Sequence, residues 1–319
     1  MASRKLPFDP YIAAILGMVL LASVFPCRGA AATAVDHVTN VAIGLLFFLY
    51  GARLSRDAVL QGLSNWRLQL IVVLVTYALF PVLGWLLGPS ARFIGPELYT
   101  GVLFLTLLPS TVQSSIAFTS IARGNVPAAL CAASLSNIIG VLLTPILVQL
   151  VLSVQNHAGF STDALRAIIQ QLFLPFVAGQ LSRPWTADFV QKHRTVLGYL
   201  DRGSILLVVY GAFSEGVVNG IWQRLDWGNL AGLAVVCSLL LTLVIAATTL
   251  VSRACRFSTE DEIVIVFCGS KKSLASGIPM ANILFPPHVI GLMVLPLMIF
   301  HQIQLMVCAA MAQRYARRA

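Results

Sequence analysis

Two adjacent lysines, Lys271 and Lys272, lie in a long apolar stretch near the C-terminal end of the chain. Small and hydroxyl-bearing residues surround them in the segment Phe267–Ala281 (FCGSKKSLASGIPMA). The lysines follow Asp261 closely enough to lie about 15 Å along a helix axis, which is the middle of an ordinary membrane span. Charge at that depth is costly and marks a transport path or a ligand site. The pair is therefore a candidate for binding an anion or exchanging a proton.

A second polar interruption, residues 107–115 (LLPSTVQSS), lies in another apolar run. Pro109 removes a helix donor and disfavours helix at the preceding residue, and the hydroxyl groups after it can cap a restarted helix. Taken alone, the pattern equally fits a proline-kinked helix whose hydroxyls bond its own backbone. Together with the lysine segment, it predicts two broken helices that cross near the membrane centre. Their half-helix N-termini would then create an electropositive cavity suited to an anion.

The candidate substrate-binding or crossover residues come from these two segments. They are Pro109, Ser110, Thr111, Gln113, Ser114, Ser115, Gly269, Ser270, Lys271, Lys272 and Ser273. Four polar residues from other apolar runs are possible cavity residues: Asn137, Glu215, His301 and Gln302. For these four, helix packing, an interfacial carboxylate or a hydrogen-bonded structural histidine is the more frequent role. For the lysines, the alternative is that both extend to a membrane interface.

Composition places these residues in a membrane protein. The 319 residues are 58% hydrophobic and only 10% charged, whereas soluble domains carry about a quarter charged residues. A span needs about 20 apolar residues. Spans are predicted at 11–26, 35–54, 68–88, 97–122, 126–153, 163–181, 196–219, 228–252, 261–284 and 288–312. We therefore predict an all-α polytopic membrane protein with ten transmembrane helices in one domain, residues 1–319.

The positions of the basic residues indicate the orientation. With the N-terminus inside and ten crossings, 15 of the 21 Lys and Arg residues fall on the cytoplasmic side and four on the outer side. This asymmetry follows the positive-inside rule, predicts both termini in the cytoplasm, and explains the net charge of +9 without a nucleic-acid partner. We expect a bacterial inner membrane. The first 34 residues also resemble a secretory signal peptide, but the internal repeat favours a retained helix.

The two halves of the chain repeat with an offset near 160 residues. The motif at Tyr50–Ala52 recurs at Tyr210–Ala212, and the two polar interruptions align at a similar offset. Five helices per copy is an odd number, so the second copy must enter the membrane from the opposite side. The sequence thus predicts two inverted five-helix repeats, 9–153 and 163–313, as in secondary transporters.

No pattern indicates an enzyme, a cofactor or a metal site. The six cysteines are scattered, mostly in apolar runs, and form no CxxC or Cys/His cluster: Cys27, Cys131, Cys237, Cys255, Cys268 and Cys308. They are expected to pack as small apolar residues without a disulfide. No GxSxG motif or His/Asp/Glu cluster occurs, although a buried lysine could in principle act as a nucleophile.

Four segments resemble the bile acid:sodium symporter superfamily, and specifically its SBF-like (YfeH-like) branch. They are FFLYGARLS (47–55), LPSTVQSSIAFTSIARGN (108–125), LPFVAGQLSRPW (174–185) and FCGSKKSLASGIPMANILF (267–285). The resemblance covers nearly the whole chain. It implies a panel of spans 1, 2, 6 and 7 and a core of spans 3–5 and 8–10, with spans 4 and 9 crossing as broken helices. It also implies alternating access, with the substrate bound between panel and core.

The chain departs from the sodium-coupled members of that family where they hold the ion. Those members carry a glutamate and a glutamine on span 9, where this chain places Cys268 and Lys272. They carry hydroxyl ligands on span 5, where it has Ala129 and Ala133, and a Ser-Asn pair on span 4, where it has two serines, 114–115. A cation site needs oxygen ligands and negative charge. We therefore expect a lysine ammonium to occupy the place of sodium.

These features predict a secondary active transporter that is embedded in the lipid bilayer and carries a small organic anion. Sodium and protons both remain candidate coupling ions, and the substrate gradient alone is a third possibility. A sodium-coupled, bile-acid-type organic anion symporter is the alternative within transport. A membrane sensor or regulatory protein that keeps the fold without turnover is the alternative from another class.

Overall fold

The computed structural model describes residues 10–53, 65–156, 166 and 169–318, and all regular secondary structure in these residues is helical. The main helices are α1 (Pro10–Val24), α2 (Ala30–Arg53), α3 (Trp66–Leu86), α4 (Pro96–Thr106), α5 (Gln113–Ile121), α6 (Val126–Asn156), α7 (Leu174–Lys192), α8 (Arg194–Val218), α9 (Trp227–Ala254), α10 (Thr259–Gly269), α11 (Leu274–Leu284) and α12 (Pro287–Ala316). A π-helical turn, Val75–Leu79, lies inside α3, and another, Ile169–Phe173, precedes α7. Short helical segments at Gly88–Ser90, Ala91–Ile94 and Ile221–Arg224 lie in the connections.

Seven segments of the described chain are long and apolar enough to cross a membrane. They are α2, α3, most of α6, α8, α9, the stretch from α10 through α11, and α12. The prediction of an all-helical integral membrane protein is confirmed. Of the other three predicted spans, α1 has only 15 residues and α4–α5 is interrupted. The third includes α7, and its first residues lie outside the described part of the chain. The count of ten stays a prediction.

The helices group into two compact units. The first comprises Met1–Arg53, Arg166–Arg224 and Ala281–Gly291, and the second comprises Leu54–Leu165, Leu225–Met280 and Leu292–Ala319. The first unit therefore contains α1, α2, α7 and α8, which correspond to predicted spans 1, 2, 6 and 7. The second contains α3–α6, α9, α10 and most of α11 and α12.

In the first unit, α2 and α7 approach so closely that their backbones touch. A Cβ added to Gly51 would overlap the carbonyl oxygen of Phe176, and one added to Gly179 would overlap that of Phe48. The contact is reciprocal, since each helix contributes one glycine and one carbonyl. Only glycine permits this separation, which resembles the small-residue packing of other membrane helices.

The second unit is built around α10. All residues from Glu262 to Gly269 are buried, as expected for a helix that is apolar around most of its circumference. One side packs on α3 and α6, in an apolar cluster that includes Leu68, Ala129 and Val264. The opposite side packs on α12 and the end of α5, in a second cluster that includes Phe267. Because α10 is enclosed in this way, the residues that follow it lie in the interior of the unit.

A polar network fixes the start of α10. The buried carboxylate of Glu262 accepts hydrogen bonds from Arg253 Nε (3.0 Å) and Nη2 (3.2 Å) and from Tyr315 Oη (2.9 Å). The side chain of Asn125 donates to Asp261 Oδ1 at 2.9 Å. These bonds attach α10 to α9, to α12 and to the residues just before α6.

Candidate functional site

Two helices of the second unit are interrupted where the polar segments predicted. Residues 107–112, the first break, separate α4 from α5, and residues 270–273, the second break, separate α10 from α11. The breaks are in direct contact, because the Ser273 N–H donates to the Pro109 carbonyl at 2.9 Å. The hydroxyl of Ser110 donates to the carbonyl of Cys268 at 2.5 Å. Freed backbone groups of one broken helix are thus satisfied by the other, as an apolar environment requires.

Helix α6 satisfies further polar groups of the first break. The Thr144 hydroxyl donates to the Leu107 carbonyl at 2.7 Å, and the Asn137 side-chain amide donates to the Ser110 carbonyl at 2.9 Å. The Ser110 N–H donates to the hydroxyl of Ser136 at 3.0 Å. The irregular backbone is therefore held by side chains of one neighbouring helix.

The ammonium group of Lys272 is coordinated by three backbone carbonyl oxygens. Its Nζ lies 2.8 Å from the oxygen of Thr76, 2.7 Å from that of Thr106 and 2.7 Å from that of Leu108. The ring centroid of Phe80 is 4.1 Å away. A lysine ammonium has three N–H donors, and all three are used here. The residue is 0% exposed, so the charge is fully enclosed by the protein.

The carbonyl of Thr76 is available because of the π-helical turn in α3. The Phe80 N–H donates to the carbonyl of Val75, five residues earlier. In the same register, the Thr76 carbonyl would pair with the N–H of residue 81, which is a proline and has none. The lysine therefore supplies the donor that the helix lacks.

The end of α4 frees the Thr106 carbonyl by a related arrangement. Its helical donor would be the N–H of Ser110, which instead bonds to Ser136. Pro109, one residue earlier, has no N–H to offer. The C-terminal end of a helix carries a partial negative charge, and here that end faces the ammonium of Lys272.

The backbone of Lys272 is held by a glutamine of α12. The Lys272 N–H donates to Gln304 Oε1 at 2.9 Å, and Gln304 Nε2 donates to the Lys272 carbonyl at 2.9 Å. The same amide nitrogen lies 2.8 Å from His301 Nδ1. The expected cavity residue His301 is therefore next to the site. Gln304 is not among the candidates predicted from the sequence, although a glutamine in an apolar run three residues after His301 is a usable signal.

Lys271 has a different environment from its neighbour. It is also 0% exposed, and its Nζ lies 4.4 Å from the ring centroid of Phe118 and 5.4 Å from that of Phe267. Among the described residues, no hydrogen-bond acceptor reaches this nitrogen. Neither lysine extends to the surface of the protein.

The two lysines differ in the interaction free energy available to offset the burial of an ammonium. Burying an ammonium costs several kcal/mol after relaxation. Three hydrogen bonds to a charged group contribute about 1.5–3 kcal/mol each, which offsets that cost for Lys272. The two cation–π contacts of Lys271 contribute about 2 kcal/mol each. Lys272 has a similar contact with Phe80 in addition to its hydrogen bonds, so Lys271 has the smaller compensation for a charge.

The hydroxyl groups near the start of α5 do not cap this helix, in contrast to our expectation. The N-cap residue is Val112, which makes no side-chain capping bond. Instead, Ser115 Oγ donates to the Phe267 carbonyl at 3.1 Å and lies 2.9 Å from Thr111 Oγ1, which in turn accepts from Ser114 Oγ at 2.8 Å. The Ser115 hydroxyl bonds to α10 because the last carbonyls of that helix also lack helical donors.

Three other candidates, Ser273, Gln113 and Glu215, lie in different parts of the structure. Ser273 caps α11 by accepting from the N–H of Ser276, whose hydroxyl donates to Asn137 Oδ1 at 3.0 Å. Gln113 has an exposed side chain at the first turn of α5, so the structure does not bring it to the buried lysines. Glu215 belongs to the first unit, where Asn219 Nδ2 lies 3.3 Å from its carboxylate.

Two further candidates, Ser270 and Gly269, lie at the second break or directly before it, and a third, Gln302, lies elsewhere on α12. The hydroxyl of Ser270 donates to the Val266 carbonyl at 2.5 Å, and Gly269 is the last residue of α10. Gln302 lies half-buried on α12. No cluster of three His, Cys, Asp or Glu side chains that could hold a metal occurs in the described residues.

Comparisons with known proteins find relatives that match nearly the whole chain. The model of the SBF-like CPA transporter family matches residues 9–317. An uncharacterized protein of Pseudomonas aeruginosa is 55% identical over 316 residues, covering 99% of this chain and 95% of its own length. The Escherichia coli protein named "Putative symporter YfeH" is 54% identical over 311 residues, with coverages of 97% and 93%. Sodium/bile acid cotransporter 7 of Rattus norvegicus is 27% identical over 273 residues, with coverages of 84% and 80%.

These names describe membrane transporters and not enzymes, and they confirm the resemblance drawn from the four sequence segments. The match extends over nearly the whole chain, and the apolar helices indicate an integral membrane protein. This protein therefore belongs to the SBF-like CPA transporter family.

Proposed function

We propose that this protein is a secondary active transporter for a small organic anion, in which the Lys272 ammonium takes the place of a coupling sodium ion. The observation that carries the proposal is the set of three carbonyl oxygens around Lys272 Nζ. In transporters with inverted repeats, unwound carbonyls and half-helix C-terminal ends hold the coupling cation. Here a side chain of the protein itself fills such a position.

The residues aligned with sodium ligands support this reading. Cys268 and Ala129 pack together in the apolar cluster between α10, α3 and α6. The backbone carbonyl of Ala133 accepts a hydrogen bond from the side chain of Asn137. A bound cation needs several oxygen ligands and negative charge, and these residues supply neither from their side chains.

An anionic substrate fits the charge around the breaks. Both α5 and α11 begin at the paired breaks, and the N-terminus of a helix attracts anions. The buried ammonium of Lys272 adds positive charge nearby. The more distant relatives named sodium/bile acid cotransporters support an organic anion as the substrate class.

We further propose ten spans in a single domain, residues 1–319, with inverted five-helix repeats at 9–153 and 163–313. The broken pair α4–α5 and the broken pair α10–α11 occupy equivalent places in these repeats. Alternating access in the bacterial inner membrane, with both termini cytoplasmic, completes the proposal. The excess of basic residues on one side supports that orientation.

Thermal unfolding of the purified protein with and without sodium tests the replacement of the ion. A ligand that binds only the folded state raises Tm. We expect no effect of sodium on the wild type or on Lys192→Ala, a control at an exposed lysine, and stabilisation of Lys272→Ala. Stabilisation of the wild type by sodium would favour the sodium-coupled symporter instead.

Transport itself is tested in proteoliposomes with radiolabelled taurocholate and a panel of smaller carboxylates. We expect saturable uptake of at least one anion, equal in sodium and potassium buffers. Anions that raise Tm but are not transported would support the sensor alternative and contradict the proposed transport.

A further inference from the structure

The two adjacent lysines are held in different ways. Lys272 donates to three carbonyls, and its backbone is bound on both sides by Gln304. Lys271, equally buried, faces the rings of Phe118 and Phe267, and its nitrogen meets no acceptor in the described part of the chain. Within the residues that the structure describes, the position of Lys272 provides hydrogen-bond acceptors for an ammonium, and the position of Lys271 does not.

The surroundings of Lys271 contain no compensating negative charge among the described residues. Helix α5 contributes an aromatic ring, and α10 and α12 carry the buried thiols of Cys268 and Cys308. The carboxylate of Glu262 belongs to the same helix α10, but it is engaged by Arg253 and Tyr315. The remaining charged neighbour is Lys272, which would repel a second ammonium.

We infer that Lys271 is the proton-carrying group of this transporter. Its side chain is a neutral amine in the conformation described here and becomes an ammonium when the second break is open to water. The inference rests on the proposed transport function and assigns the proton as its coupling ion. In one half of the cycle, a hydronium ion transfers its proton to the lone pair of Nζ and leaves water. In the other half, the ammonium returns that proton to water on the opposite side.

Lys271 lies in the non-helical second break, between the ends of α10 and α11. Its position in the chain is therefore at the junction of two half-helices. Lys272, in contrast, stays in its carbonyl site, so the two lysines have different roles. One provides a permanent charge that holds the breaks together, and the other provides an exchangeable charge.

Nitrogen-15 NMR of the wild-type protein in nanodiscs tests the charge state directly. The chain has four lysines, Lys5, Lys192, Lys271 and Lys272, so lysine labelled at Nζ gives a short spectrum. We expect one amine signal at neutral pH that is absent in Lys271→His, with ammonium signals from the others. Ammonium signals from all four lysines would overturn the inference.

Proton movement is tested with proteoliposomes adsorbed on a solid-supported membrane, using a pH step as the only stimulus. We expect a transient current from the wild type and from Lys192→Met, and at least a tenfold smaller current from Lys271→Met. Because histidine titrates near neutral pH, Lys271→His should restore a current centred at lower pH. An unchanged current in folded Lys271→Met, or no current in the wild type, would contradict the assignment.

The outcome is separable from that of the proposed function. Anion uptake without a pH-step current would support the proposed transport function and contradict the proton-carrying role of Lys271. A current that depends on Lys271 without uptake of any tested anion supports the proton step and contradicts the proposed substrate class.

Discussion

At the scale of single residues, the Lys272 ammonium replaces backbone donors that two helices lack. Thr76 is left without a donor by Pro81, and Thr106 is left without one because the N–H of Ser110 bonds elsewhere. A compact ammonium on a flexible stem can point three donors at three oxygens, whereas the planar guanidinium of arginine cannot match that geometry. The lysine is therefore a structural cation of the second unit.

Truncation of Lys272 should expose this role. Each buried acceptor left without a donor costs about 1–3 kcal/mol, so Lys272→Ala should lose at least about 3 kcal/mol of stability. Adding ammonium chloride should recover part of that loss, because the free ion can enter the vacated carbonyl site. The check is Tm in ammonium chloride and in tetramethylammonium chloride, whose cation has no N–H donor. Equal recovery in both salts would contradict the prediction.

Gln304 provides a second test at this scale. Gln304→Leu removes both hydrogen bonds to the Lys272 backbone and leaves buried groups unsatisfied, so we expect a loss of about 1–3 kcal/mol. Gln302→Leu is the matched control, two positions away and only half-buried, with an expected change below about 0.5 kcal/mol. Thermal unfolding compares the two variants. A larger effect at Gln302 would show that the bonds of Gln304 are unimportant.

At the scale of elements, close approach between helices depends on glycine at defined positions. In α2, a side chain at Gly51 would overlap the backbone of α7, whereas a Cβ at Gly44 of the same helix would meet no atom within 4 Å. The two glycines therefore have different reasons to be present. Gly51 permits a backbone contact, and Gly44 is not required by packing.

This difference gives a matched pair of variants. Gly51→Ala should destabilise the protein by about 1–3 kcal/mol, because overpacking forces the two helices apart. Gly44→Ala should be neutral or stabilising by up to about 1 kcal/mol, because alanine favours helix. Tm and resistance to limited proteolysis measure both. Similar losses in the two variants would mean that helix propensity, and not the α2–α7 contact, controls stability here.

At the scale of the whole molecule, the interleaved composition of the two units is the main feature. Each unit takes helices from both halves of the chain. Neither half forms a unit by itself, so truncation at the middle of the chain would divide both. This arrangement supports the proposed inverted repeats, because each repeat then contributes equivalent helices to each unit.

The orientation of the repeats can be measured with reporter fusions. Five spans per repeat require that the connection between the repeats lies outside the cytoplasm and the C-terminus inside. Alkaline phosphatase fused after residue 160 should be active, and the same enzyme fused after residue 319 should be inactive, whereas green fluorescent protein should show the reverse pattern. If alkaline phosphatase were active at both positions, or inactive at both, the number of spans between residues 160 and 319 could not be odd.

The sequence alone determined the class of the protein and the position of its candidate site. High apolar content requires a membrane protein, and proline or glycine beside hydroxyl residues in an apolar run is a local signal for a broken helix. Both breaks were therefore predictable, and so were Lys271 and Lys272 as polar residues within an apolar segment. The family followed from contiguous segments of the chain.

The tertiary structure decided which groups surround each lysine. The carbonyl of Thr76 is 196 residues from Lys272 in sequence, and its availability depends on a π-helical turn that no local pattern predicted. The importance of Gln304, and the exposure of Gln113, likewise depend on which side of a helix meets a neighbour. Two adjacent residues of the same type differ because hydrogen-bond acceptors are brought together by folding, and not by their order in the chain.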